Sequence, residues 1–446
     1  MTNLRKWICL IALVAIAVIS PCAYAAGKAH VLVISIDGMR PDYITQADKH
    51  GLKVPTLRKL MASGTYAEGV VGVIPTLTYP SHTTMMTGVW PIEHGVFGNQ
   101  EFRPFHEGKE QITDFSTIKV PTLWEAAKKA GYTTGSVGWP VTTGAACIDW
   151  LLPANAAFEG SDPDGGTAAL DPNKQYDNPR GLKEQLASVV PKDRKLDINQ
   201  LRHIWYVEIL KRYKPEFMTI HTGDLDHQEH AHGPFSPEAN ASIEAIDREV
   251  AELVALERSN YPDAYILIVS DHGFLPTEHT FYPNALLAKE GLLDIPQHKW
   301  EAAAYNTGGT STIIVRDPSN AAVVAKVKSV VEAAAKNPAY GIGRMLTHEE
   351  AVKRGGNPAA MYILDAASGW RFGSGTKKIT ADAPGTGAHG QLPDHPELRS
   401  SFFLVGPDVV KRNLGVIDMR QIAPTLAKIL NVKLPSAKLS PVKYTK

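Results

Sequence analysis

The sequence predicts an α/β fold, with a mostly parallel central sheet, helices on both faces and a smaller inserted cap. Three observations carry this reading: short apolar, β-branched runs; amphipathic stretches between them that open on proline; and Asp and His gathered just past the ends of the runs. Strands buried on both faces read as near-continuous apolar runs. Their alternation with helices requires crossover connections, hence parallel strands.

Taken in order, the first 25 residues hold Arg5 and Lys6, an apolar run from Trp7 to Ser20, and Ala23-Tyr24-Ala25, the A-x-A shape of a secretory cleavage site. The segment 1–25 is therefore expected to be a signal peptide cleaved after Ala25, leaving 26–446 as a periplasmic or secreted chain. The run is shorter than the ~20 residues a spanning helix needs. Ile19-Ser20-Pro21 also fits a lipid-anchor motif at Cys22 poorly.

Strands are expected at 30–37, 70–74, 134–139, 217–222, 265–270 and 402–405. Pro55-Thr56-Leu57, Pro121-Thr122-Leu123 and Pro424-Thr425-Leu426 each open a helix, closed by Gly64, Gly131 and Asn431. Residues 151–182, rich in Pro, Gly, Asp and Asn, read as a long loop near a site. Its Asp162, Asp164 and Asp171 sit among turn-forming Pro and Gly and read as turns rather than a calcium loop. Residues 275–384 hold a strand at 312–315 and a helix at 321–336, and read as a subdomain inserted in the main sheet and capping it.

Composition narrows the function classes. Signal cleavage leaves 44 basic side chains (46 less Arg5 and Lys6) against 46 acidic ones, so no polybasic surface for a nucleic-acid polymer or a membrane is expected. It also removes Cys9 and Cys22, so Cys147 has no partner for an internal disulfide.

In open α/β sheets, ligands bind beyond the carboxyl ends of the strands. The polar residues there are Ser35-Ile36-Asp37-Gly38; Thr76-Leu77-Thr78-Tyr79-Pro80-Ser81-His82; Asp224-Leu225-Asp226-His227-Gln228-Glu229-His230-Ala231-His232-Gly233; Ser270-Asp271-His272-Gly273; and Ala388-His389-Gly390. One Asp-Gly or His-Gly is usually a turn, but five such sites at successive strand ends point to a metal centre. Carboxylate and imidazole ligands without thiolates suit catalytic zinc, with manganese a harder alternative. His227-Gln228-Glu229-His230 lacks the H-E-x-x-H spacing of zinc proteases.

In their order and spacing these segments, together with Thr87-Gly88, His94-Gly95 and Asn99, resemble the nucleotide pyrophosphatase/phosphodiesterase family (type I phosphodiesterases) of the alkaline phosphatase superfamily. The resemblance implies an alkaline phosphatase-like domain holding two zinc ions. Asp37, Thr78, Asp271 and His272 would bind one, and Asp226, His230 and His389 the other. It further implies that Thr78 is the nucleophile and passes through a phosphothreonine, and that Asn99 contacts a non-bridging phosphoryl oxygen. The chemistry is coherent, since a free threonine hydroxyl is a poor nucleophile until a metal lowers its pKa. Thr76, His82 and His94 are read as structural, and Asp224, His227 and His232 as flanking positions.

Substrate class follows from charge. A monoester needs extra cations around its non-bridging oxygens, and the segment Trp139-Pro140-Val141-Thr142-Thr143-Gly144 supplies none, the next basic residue being Lys174. A small-molecule phosphate diester or nucleotide is thus expected, with phosphomonoester hydrolysis as the alternative. Tyr79 and Trp139 are expected to contact the substrate, Tyr79 by the base stacking the family uses, with Trp150 and Tyr176 as further pocket candidates. After His389-Gly390 the chain reads Gln391-Leu392-Pro393, where the family often carries an aromatic and an Asn. A non-enzymatic binding member is the alternative of another class; the complete ligand set argues against it.

Overall fold

The computed structural model describes residues 27–105, 111–154, 176–193 and 196–446. The expected signal segment, Asp162, Asp164, Asp171 and most of the loop expected at 151–182 lie outside these residues.

The central sheet has eight strands, ordered Arg412–Asn413, Thr65–Tyr66, Phe402–Val405, Tyr265–Val269, Val31–Ile36, Phe217–Thr222, Thr134–Val137 and Trp150–Leu152. Val31–Ile36 pairs in parallel with Phe217–Thr222 and Tyr265–Val269. Thr134–Val137 continues the parallel run, and Phe402–Val405 is antiparallel to Tyr265–Val269. The sheet is the middle of three layers. Along Val31–Ile36, Leu32, Ile34 and Ile36 pack with Trp205 and Ile209 of helix Ile198–Arg212 and with Ile243 and Val250 of helix Pro237–Asn260. Val31 and Val33 face the other way, toward Leu123 of helix Leu123–Lys129 and Leu426 of helix Ile422–Ile429. Alternate side chains of one strand thus feed two cores, which is why the run has no polar face.

Three elements depart from the sequence expectation. The strand expected at 70–74 is only Gly69–Val71, paired with Val416–Asp418 outside the main sheet, because Gly72 and Pro75 interrupt it. The helix expected to open at Pro121 begins at Leu123, since Thr122 and Glu125 form a reciprocal cap (Glu125 N–H to Thr122 Oγ1, 3.3 Å; Thr122 N–H to Glu125 Oε2, 2.7 Å). Helix Ile422–Ile429 starts before Pro424, whose missing N–H falls in the first turn where no intrahelical acceptor exists.

Between Tyr265–Val269 and Phe402–Val405 the chain builds an inserted subdomain. A four-stranded antiparallel sheet runs in the order Ala302–Asn306, Thr310–Val315, Ala360–Ala366, Ile342–Thr347, with helix Ala321–Ala335 against it. Its own core includes Phe281, Leu287, Ile313, Val327 and Phe372. A three-stranded sheet of Gly369–Phe372, Leu275–Phe281 and Thr380–Ala388 links it to the main body, and its last strand ends one residue before His389. Among the described residues, no helix is long and apolar enough to cross a membrane.

Helix Pro237–Asn260 buries Glu257, and neither of its carboxylate oxygens has a hydrogen-bond partner among the described residues. Burial pushes this carboxyl up to about 7 from an ordinary 4.5. A carboxyl raised in the folded state contributes stability that is whole below the unfolded value and lost as pH rises through the folded one, here between about pH 4.5 and 7. Glu257→Gln removes that slope. In urea titrations the variant should gain up to about 3 kcal/mol on the parent protein between pH 5 and pH 8; parallel pH profiles would show that Glu257 ionises as easily folded as unfolded.

Candidate metal centre

Asp37 follows the central strand and Asp271 lies two residues beyond its neighbour Tyr265–Val269, so parallel pairing brings both carboxylates to one edge. Asp271 Oδ1 accepts from the backbone N–H of Gly38 (3.2 Å) and of His272 (3.0 Å). Asp271 Oδ2 accepts no hydrogen bond among the described residues and stands 3.2 Å from His272 Nε2, which is 3.3 Å from Asp37 Oδ1. Gly38 has φ +75°, and a Cβ there would come within 2.6 Å of Glu229 Oε2, so glycine is required where the chain turns beneath the site.

The second group is built differently. Asp226 and His230 lie four apart on helix Asp224–His232 and therefore share a face, while His389 arrives from the inserted subdomain. His389 Nε2 and His230 Nε2 are 3.2 Å apart, and each is 3.5 Å from Asp226 Oδ1. The His389 and His272 rings stack at 3.6 Å, which sets the two groups side by side. Ligand atoms of Asp37, Asp271 and His272, and likewise of Asp226, His272 and His389, fall within 4.8 Å of one another.

The imidazoles fit a metal. His272 Nδ1–H donates to Gly273 O (3.2 Å), His389 Nδ1–H to Thr76 O (3.0 Å) and His230 Nδ1–H to Gly387 O (3.3 Å). Each carbonyl fixes its ring's tautomer and turns an Nε2 lone pair toward the carboxylates. Two such lone pairs at 3.2 Å, as in His230 and His389, repel unless a cation lies between them. Burial, then the neighbouring imidazoles, holds His272 well below its ordinary range. Burial and then His230 push His389 down to about 3, so both rings are neutral, as ligation requires. Burial, then the charge of Asp37, drives Asp271 well above the usual carboxylate range, and a divalent cation would reverse that shift.

Thr78 opens the ten-residue helix Thr78–Thr87, and its Oγ1 is 3.5 Å from His272 Nε2. Every residue of this helix is buried, and Thr83 and Thr87 satisfy their hydroxyls on the carbonyls of Tyr79 and Thr83. His82 anchors it, with Nδ1 donating to Thr78 O (2.8 Å) and Nε2 accepting from Ser35 Oγ (2.9 Å). Thr76 ties the His389 loop down by donating to Gln391 O (2.7 Å) and accepting from Gly390 N–H (3.1 Å). His94 is bonded to Thr84 and Val96. Asn99 has no left-handed backbone; its Oδ1 accepts from Tyr79 N–H (3.0 Å), and it lines a cavity of about 540 Å³ with Thr78, Asp226, His230 and His389.

Four expected pocket aromatics lie elsewhere. Tyr79 is buried against Val96 and Val141, its hydroxyl donating to Gln111 Oε1 (2.7 Å). Trp139 is 1% exposed, wedged edge-on between His82 and Trp124. Both are core residues, because adjacency to a strand end or a nucleophile does not fix which way a ring points. Trp150 stacks on Tyr213, and Tyr176 lines a separate cavity with Asp177 and Asn178. Asp224 is bonded to Ser242 and Asn199, His227 is an exposed residue of the cavity wall, and His232 is exposed.

Two buried residues were not anticipated. His221, at the end of Phe217–Thr222, bridges Gly138 O (2.9 Å) and Asp37 Oδ2 (2.9 Å), leaving Asp37 Oδ1 toward His272. Glu229, between Asp226 and His230, accepts from Tyr43 O–H (2.8 Å), and burial first of all lifts its carboxyl far above the usual range. The polar His221 in the run Phe-Met-Thr-Ile-His-Thr was the available signal.

Fold and site together define a metal-centred protein of alkaline phosphatase-like architecture. A family model described as Type I phosphodiesterase / nucleotide pyrophosphatase matches residues 31–389, and the chain belongs to that family. Human ectonucleotide pyrophosphatase/phosphodiesterase family member 1 is 25% identical over 249 residues, covering 54% of this chain and 23% of the relative. An uncharacterized pyrophosphatase/phosphodiesterase of Schizosaccharomyces pombe is 25% identical over 250 residues, 55% of this chain and 45% of its own. The chain thus spans less than half the length of these relatives. Human ectonucleotide pyrophosphatase/phosphodiesterase 5 shares the fold at TM-score 0.64 and 19% identity, covering 93% of this chain and 97% of that one. An inactive threonine-to-alanine variant of the murine protein, in complex with AMP, does so at TM-score 0.63 and 18% identity, over 93% and 98% of the two chains.

A residue that orients a metal ligand from behind typically changes affinity by 10- to 100-fold. His221→Ala should therefore weaken metal retention by about that factor in a chelator competition; unchanged affinity would mean that Asp37 is held without it.

Proposed function

We propose that this chain is an exported, two-zinc phosphodiesterase/nucleotide pyrophosphatase that hydrolyses phosphate diesters through a phosphothreonine on Thr78. One observation carries the reading: the Thr78 hydroxyl, at the buried start of a helix, stands 3.5 Å from His272 Nε2, beside two carboxylate–imidazole groups. Asp37, Thr78, Asp271 and His272 would hold one zinc and Asp226, His230 and His389 the other, with manganese the harder alternative. Bound there, the metals supply the Lewis acidity that lowers the hydroxyl pKa and balances the phosphoryl charge.

The chain's own groups do the rest. Thr78 Oγ, its proton released to solvent, forms a bond to phosphorus as the bond to the first alkoxide breaks, and that alcohol departs with a proton from water. The helix N-terminus favours the phosphoryl anion on the attacked side. Asn99, its Oδ1 occupied by Tyr79 N–H, turns Nδ2 as donor to a non-bridging oxygen. Water then cleaves the phosphothreonine and restores the hydroxyl. The described cavity wall holds no Lys or Arg, which favours a diester over a monoester, whose transferred group carries one more charge. The fold likeness to a murine relative that holds AMP when a threonine is replaced by alanine supports a threonine-centred site. Export rests on the N-terminal 25 residues.

Purified Thr78→Ala protein should lose turnover of an aryl nucleotide diester by at least about 1,000-fold while retaining metal by elemental analysis. Turnover within tenfold of the parent would remove Thr78 as nucleophile. Unmodified protein should cleave the aryl diester faster than an aryl phosphate; the opposite order would make it a monoesterase.

A further inference from the structure

Thr76 is fully buried two residues before Thr78, and both its carbonyl and its hydroxyl reach the stretch that begins at His389. The carbonyl accepts from His389 Nδ1–H (3.0 Å), while the hydroxyl accepts from Gly390 N–H (3.1 Å) and donates to Gln391 O (2.7 Å). A hydroxyl can donate and accept at once, so one side chain satisfies two buried backbone groups that need partners. Two further hydrogen bonds tie the same stretch to the inserted subdomain: Gly309 N–H donates to His389 O (2.7 Å), and Leu392 N–H to Asp365 Oδ1 (2.8 Å). The buried side-chain amide of Gln391 has no hydrogen-bond partner among the described residues. Among the described backbone hydrogen bonds of residues 389–392, those to Thr76 are therefore the ones that reach the main body.

The fit on the other side is close. A Cβ at Gly309 would run into Gln391 N, and one at Gly390 into Thr307 O. The stretch is thus gripped between the turn at 307–309 and Thr76. His389 Nε2 stands 3.2 Å from His230 Nε2 and 3.5 Å from Asp226 Oδ1, and a ligating atom must be held to within about 0.5 Å of its working position. We infer that Thr76 is a positioning residue: its hydroxyl seats His389 against the main body, so that retention of a metal by Asp226, His230 and His389 depends on it. The same residue keeps that group in register with Thr78, two positions on. This rests on the two-metal reading proposed above and deepens it. Asp37, Asp271 and His272 share no described hydrogen bond with Thr76, so their group does not depend on it directly.

The test is zinc competition with a chelator on the full chain, read as the dissociation constants of the two sites, with His389→Ala marking which constant belongs to the second group. Thr76→Val keeps the side-chain shape but leaves Gly390 N–H and Gln391 O unpaired. It should weaken the His389-dependent constant by about 10- to 100-fold, the scale for residues that orient a ligand, and leave the other constant in place. Thr76→Ser keeps the hydroxyl and should restore retention, which a loss of packing alone would not allow. Thr76→Ala reads the same loss should the valine variant not fold. Both constants unchanged or weakened alike, a loss confined to the other site, or a serine variant no better than valine overturns the role of Thr76 alone. A parent chain that holds a single zinc ion overturns the two-metal reading and this inference with it.

Discussion

Three carboxylates, Asp37, Asp226 and Asp271, are withdrawn from water in two adjoining groups, and the described wall of the cavity that Asp226 lines holds no lysine or arginine. Burying an anion without a cation is costly. The imidazoles beside them do not offset the charge, since burial keeps His272 and His389 neutral. Carboxylates and neutral imidazoles crowd together stably when a divalent cation is added, and much of the surrounding structure serves that arrangement. Backbone carbonyls of Thr76, Gly273 and Gly387 hold three rings in one tautomer, His221 turns Asp37, and glycine at position 38 lets the turn pass under Glu229.

The fold explains how distant residues meet. Parallel strands put Asp37 and Asp271 at one edge, and the helix after Phe217–Thr222 presents Asp226 and His230 one turn apart. The inserted subdomain contributes through the strand Thr380–Ala388, which returns His389 to the same edge. The same insertion supplies Tyr305, Asn306 and Thr307 to the cavity wall. Ligand geometry and substrate wall are therefore mechanically linked.

Much of this was legible in the sequence. The apolar runs located five of the six expected strands, and polar residues at their ends located the carboxylates and imidazoles that the fold brings together, because a parallel sheet leaves only one edge for them. The sixth, at 70–74, fails because Gly72 and Pro75 end it early, so Thr78 is presented by a helix rather than by the main sheet. Tyr79 and Trp139 were misread because linear adjacency to the site carries no information about side-chain direction; the core took both. His221 lies inside its strand rather than past the end, where polar residues were sought. The cavity wall joins Asn99, Gln100 and Gln111 to Tyr305, Asn306, Thr307 and Gly308, a juxtaposition set by how the insertion folds back rather than by any local pattern.

The central claim is that the two ligand groups each hold a metal. Anomalous X-ray diffraction from crystals of the purified protein, recorded across the zinc and manganese edges, tests it directly. The account predicts two peaks about 3.5 to 4 Å apart, one within bonding distance of Asp37, Asp271 and His272 and one within bonding distance of Asp226, His230 and His389. A fully metal-loaded crystal with no peak among these residues, or with one peak and a filled, metal-free second group, would contradict it.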